Sequence, residues 1–153
     1  MRGADVFALT KGVCHEVECC RSGFWRMNIL IESSKSFQEV LFDFEPLAQR
    51  LGLTVLARHD LGEALVRRVS GGAPGFDEDY LIFEVISWPV AEAMLAVDPR
   101  SGLILPWRFV VFTDNGATRL GFQQALLPDA PAALAPLVAE VEGKLGQLLD
   151  EMR

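Results

Sequence analysis

The sequence predicts an α+β fold: a single two-layer domain with a mixed β-sheet of about five strands and helices packed on one face, in the order β-α-β-β-α-β-β-α. Three observations carry that expectation. Tyr80 to Phe122 reads as strand, short helix, turn and β-hairpin. Two apolar stripes at helical spacing, Phe37 to Leu51 and Leu134 to Met152, are each long enough to cover a sheet. The 153 residues suffice for one domain burying roughly two thirds of the surface its unfolded chain exposes.

Residues 1–26 form an N-terminal extension and residues 27–153 the domain. The extension holds Cys14, His15, Cys19 and Cys20 in one heptapeptide, which are ligand types for zinc. One cysteine pair is directly adjacent, however, and no second cluster follows, so no metal is expected. Met27 to Glu32 alternates as a strand. Ser36-Phe37-Gln38-Glu39 has the pattern of a capping box, and Phe37, Val40, Leu41, Phe44, Leu47, Ala48 and Leu51 continue it as one helical stripe. Gly52 ends that helix, and Pro46 inside it predicts a kink. Leu53 to Ala57 is read as a strand parallel to the first, with the helix as crossover. Asp60 and Glu63 cap one further helical turn, with His59 a surface neighbour. Ser70 to Asp79 is a Gly-rich acidic loop without a phosphate-loop pattern.

Tyr80 to Ile86 is rich in β-branched and aromatic residues, as strands are. Pro89 suits the first turn of a helix whose stripe is Val90, Ala91, Met94, Leu95 and Val97, ending at Asp98-Pro99. Trp107 to Thr113 and Ala117 to Gln123 form a hairpin around Asn115-Gly116, a pair that accepts the positive φ of a type I′ turn. If Asp114 faces Ala117, then Val111 meets Leu120 and Phe109 meets Phe122 on the core face. Leu126 to Pro131 connects to the last helix, capped by Asp129, with Leu134, Leu137, Val138, Val141, Leu145, Leu148 and Met152 as its stripe.

The other sheet face carries Ile82, Glu84 and Ile86, then Arg108, Val110 and Phe112, opposite Gln123, Gly121 and Arg119. A solvated antiparallel face reads polar. This one is too apolar for open water, which predicts a homodimer with Ile82, Val110 and Phe112 at the contact. The chain is 50% hydrophobic, in keeping with a covered face, and its mean hydropathy is +0.24. A net charge of −7 opposes a phosphate backbone, so no nucleic-acid partner is expected. No apolar run is long enough to span a membrane. Three cysteines near one end make no disulfide framework, and no secretory segment precedes them, so the cytoplasm is the expected compartment.

Five segments carry a family resemblance: Val55-Leu56 through His59-Asp60-Leu61, Ile82-Phe83-Glu84-Val85, Ala91 to Leu95, Leu103 to Pro106, and Phe112 to Leu120. From about Met27 onward the chain resembles the bacterial and archaeal family called domain of unknown function 302. The resemblance implies a compact α+β domain likened to the TATA-binding-protein fold, with no settled biochemical activity. Many relatives have Cys-Asn-Pro after the third strand and Leu-Pro-Cys before the fourth. This chain has Ile86-Ser87-Trp88-Pro89 and Leu105-Pro106-Trp107, so any thiol chemistry of those relatives does not carry over.

Three functional readings remain. The first is a non-enzymatic dimeric domain that binds a small apolar ligand or a partner protein. If the third and fourth strands are parallel neighbours, Trp88 and Trp107 line an apolar cleft, with Glu84, Arg108 and Arg119 as the polar groups that orient the ligand. The second is an enzyme using Glu84, with Arg108 or Arg119 as clamp on a small anionic substrate. The third is a purely structural or assembly protein. No catalytic residue is assigned and no cofactor is expected, because no motif places a nucleophile, a matched acid and base, or a cofactor loop.

Overall fold

The structure, a computed structural model, describes residues 28–68, 76–125 and 129–153. The N-terminal extension with its cysteines, and Ser70 to Gly75 of the Gly-rich loop, lie outside the described residues. The chain runs β1 (Asn28–Ser33), α1 (Phe37–Arg50), β2 (Thr54–Asp60), α2 (Leu61–Arg68), β3 (Tyr80–Ile86) and α3 (Trp88–Val97). A 3₁₀ turn (Pro99–Ile104), β4 (Trp107–Asp114), β5 (Ala117–Gln123) and α4 (Leu134–Glu151) complete it. The α+β class, the single domain and the element order are as the sequence predicts, with α2 added as a helix in its own right.

The five strands lie in the order β1-β5-β4-β3-β2. Every neighbouring pair is antiparallel, which corrects the expected mixed sheet. β1 and β2 do point the same way, but they occupy opposite edges, and α1 crosses the width of the sheet between them. A parallel pair would need them side by side. Instead β1 takes the free edge of β5, and β2 takes that of β3.

Local chemistry accounts for most element ends. At α1 the capping box closes in both directions, the Ser36 N–H donating to Glu39 Oε2 at 2.8 Å and the Glu39 N–H to Ser36 Oγ at 3.4 Å. Asn115 and Gly116 have φ of 52° and 82°, the left-handed pair that a type I′ turn requires. The hairpin register follows as expected, Phe109 facing Phe122 and Val111 facing Leu120. Asp129 is a correction: it has φ of 61° rather than a capping conformation, and α4 begins later, after Ala133. A residue turned left-handed breaks the path into the helix instead of starting it.

One sheet face and three helices make the core. Val40, Phe44 and Ala48 of α1, Met94 of α3, and Val141, Leu145 and Leu148 of α4 are wholly buried against Leu81, Phe83, Val85, Phe109, Val111 and Leu120. Phe44 stacks on Phe83 with ring centroids 3.9 Å apart and lies 5.0 Å from Phe109. Across the β1–β5 pair, Gly121 faces Leu30, and a Cβ there would lie 2.5 Å from the Ile29 carbonyl oxygen. Only glycine lets the two backbones approach that closely.

Candidate functional site

α1, α3 and α4 bury their stripes against one side of the sheet, and the register lays three rows across the other. Leu30, Gly121, Val110, Ile82 and His59 form the middle row. Glu32, Arg119, Phe112 and Tyr80 form one outer row, and Arg108, Glu84 and Ala57 belong to the other. Ile82, Val110 and Phe112 are half-buried, and Leu30 is exposed. Tyr80 stacks on Phe112 with centroids 5.1 Å apart, and Phe76 meets Tyr80 edge-on. The result is an apolar strip with a charged rim at each end.

At one rim, Arg119 pairs with Glu32 at 3.1 Å and reaches Asp114 at 3.5 Å. At the other, His59 Nε2 lies 3.1 Å from Glu84 Oε1. A β-bulge sets up that second contact. Val55 faces Val85, but past Leu56 the register slips by one, so Ala57 faces Glu84 and His59 faces Ile82. Without the extra residue His59 would fall on the core face, opposite Leu81. Arg108 is the cross-strand neighbour of Glu84 and, among the described residues, forms no ion pair. The rows of Glu84 and Arg119 are four residues apart along the strands, about 13 Å at strand rise. Arg119 therefore does not join Glu84 in one anion clamp, whereas Arg108 is its neighbour.

Burial raises the Tyr80 phenol above its ordinary pKa of about 10. A raised folded-state value means that the neutral phenol is the form the fold favours. The associated stability is whole below pH 10 or so and is lost as pH rises through the folded pKa. Tyr80 is the only tyrosine, so a 295 nm absorbance titration reads it directly. The native midpoint is expected above that of the denatured chain, and coincident midpoints would remove Phe112 and Phe76 as its cover.

The two tryptophans do not meet as expected. The premise of parallel neighbours is overturned, since β3 and β4 are antiparallel with Val85 facing Trp107. Trp107 is 2% exposed and belongs to the core, while Trp88 is 58% exposed at the start of α3. The Trp107 indole N–H and the Ser87 hydroxyl are buried without a partner among the described residues. A cleft does open beside Trp107, however, of about 260 Å³. It is walled by Leu103 to Arg108, with the cis Leu105-Pro106 bond, and by Gln123 to Ala125. Neither Trp88, Glu84 nor Arg119 contributes to it.

The family described as domain of unknown function DUF302 matches residues 29–152. The chain belongs to that family. The crystal structure of an uncharacterized conserved DUF302 protein from Bacillus stearothermophilus resembles this chain with a TM-score of 0.74 at 25% identity. The likeness covers 84% of this chain and 99% of the other. No curated protein matches. Among the described residues of this DUF302 domain, no helix is long and apolar enough to cross a membrane.

Two features of the DUF302 domain escape the sequence reading. His59 is the first, because a strand ending at Ala57 leaves it in a loop, and no glycine or proline signals the bulge at Leu56. The buried position of Trp107 is the second. Its signal was present, since Trp107 alternates in phase with Phe109 and Val111 on the core face.

Proposed function

We propose that this DUF302 domain is a non-enzymatic binding module that works as a homodimer, two copies meeting through their outer sheet faces. The observation that carries this reading is the half-buried apolar strip of Ile82, Val110 and Phe112 on the face opposite the core that α1, α3 and α4 cover. The rims favour a second copy of the chain as the occupant. Each rim holds charges of both signs, so a two-fold axis across the strands lays the Glu84, His59 and Arg108 end of one copy over the Arg119, Glu32 and Asp114 end of the other. The strip then meets itself, as an isologous contact requires. The enzymatic alternative is weakened because Arg119 stands apart from Glu84 and Glu84 is already held by His59.

Light scattering tests it. The unmutated protein at micromolar concentration is expected at twice 16.9 kDa, and Phe112→Glu at the mass of one chain, since a buried unpaired carboxylate is costly at such a contact. A single-chain mass for the unmutated protein would remove the dimer.

A further inference from the structure

We propose that β4 carries a self-recognition series, in which Arg108 of one copy pairs with the partner's Asp114 and Val110 packs on the partner's Phe112, so that the occupant the outer face fits is a second copy laid antiparallel along this strand. The pairing presupposes the face-to-face dimer proposed above. β4 is the middle strand of the five, and its alternate residues Arg108, Val110, Phe112 and Asp114 share the outer face. They run cation, aliphatic, aromatic, anion. A two-fold axis that crosses the strand between Val110 and Phe112 reverses the series in the second copy, which lays each charge over its opposite and each apolar residue over the other.

The same residues disfavour the other orientation. An axis running along β4 would set Arg108 over the partner's Arg108 and Asp114 over the partner's Asp114, and like charges brought together at an interface are costly. Both charged groups are open to a new partner. Arg108 is exposed, and the acid across from it, Glu84, is taken by His59 at 3.1 Å. Asp114 Oδ1 accepts from the Asn115 amide at 2.8 Å, while Oδ2 has the Arg119 guanidinium only at 3.5 Å. A guanidinium and a carboxylate suit each other, since the fork of donors can bind both oxygens. Between the charges, Val110 and Phe112 are half-buried, and their β3 neighbours Ile82 and Tyr80 follow the same reversal. Apolar surface therefore stays against apolar surface. Sheets packed face to face lie about 10 Å apart with strands within ~30° of alignment, which holds the register best on the central strand.

Charge reversal tests the pairing, because Arg108 and Asp114 stand about 20 Å apart along the strand and cannot touch within one chain. Arg108→Asp and Asp114→Arg differ in mass, so native mass spectrometry tells their homodimers from the mixed dimer. Each variant alone is expected to dimerise about tenfold more weakly than the parent or worse, since each sets like charges together twice. Mixed, they are expected to form the heterodimer well above the share that random pairing gives, because both contacts then join opposite charges. The variant carrying both changes should regain the parent's dimer. Asp114→Asn keeps an acceptor for the turn and gives a second reading: it should loosen the parent's dimer and tighten that of Arg108→Asp. A mixed dimer at or below the random share, or an Asp114→Asn effect of the same sign in both backgrounds, would overturn the pairing while leaving the dimer in place. A parent protein found only as single chains would overturn the dimer and the pairing together.

Discussion

Phe109→Ala is expected to destabilise the domain by about 3 to 5 kcal/mol, the range for truncating a core aromatic. Phe109 has no exposed surface. Its ring lies 5.0 Å from Phe44 and 6.5 Å from Phe122, so it joins the helix layer to the two central strands. Removing it leaves a void bounded by stacked rings, and rings packed as closely as Phe44 and Phe83 have little freedom to collapse into it. Arg67→Ala is the control. Arg67 is exposed and, among the described residues, pairs only with Glu63 one turn back on α2, so its loss should cost under about 0.5 kcal/mol. Chemical denaturation of both variants reads the contrast, and comparable losses would mean that the core and outer faces of the hairpin are exchanged.

Gly121→Val should be nearly as damaging for a different reason. Even a single carbon at that position meets the Ile29 carbonyl oxygen at 2.5 Å and Leu30 Cα at 3.3 Å, both of them backbone. Neither can swing aside as a side-chain tip would, so β1 must move away from β5. Overpacking of this kind costs about 1 to 3 kcal/mol, and the branched side chain should reach the upper end. Amide exchange locates the effect: protection should fall across Asn28 to Ser33 while β3 and β4 keep theirs. A variant whose β1 amides exchange at the parent rate would show that the close approach is not maintained in solution.

Much of the fold was legible because it depends on short-range chemistry. The capping box at Ser36 and Glu39, the Asn115-Gly116 turn and the alternation of Leu81, Phe83 and Val85 each work within a few residues, and together they fixed α1, the hairpin register and the core face. Long-range choices were harder. Nothing local tells β1 to pair with β5 instead of β2, because either pairing buries the same face of Ile29 and Ile31 equally well. The extra residue at Leu56 is likewise silent in sequence, yet it turns His59 through half a rotation and so creates the rim contact with Glu84. Alternation within β3 and β4 was enough to place Ile82, Val110 and Phe112 together on the face away from the core. The cleft was displaced, because a strand direction was inverted and Trp88 was thereby brought to Trp107's side.

The position of β1 also bears on how the chain is made. Its hydrogen-bonding partner is β5, and the Ser33 hydroxyl donates to the Met152 carbonyl, 119 positions later. During synthesis, β2 to β5 can zip together in sequence as they leave the ribosome, each strand finding the one before it. Among the described strands β1 emerges first and waits longest, since its partner β5 is the last strand made. Such non-local closure slows folding, since loop entropy is lost before the contacts are gained. The β1–β5 pairing and the Ser33–Met152 hydrogen bond are therefore the most non-local contacts of the sheet, the kind that costs the most loop entropy to form.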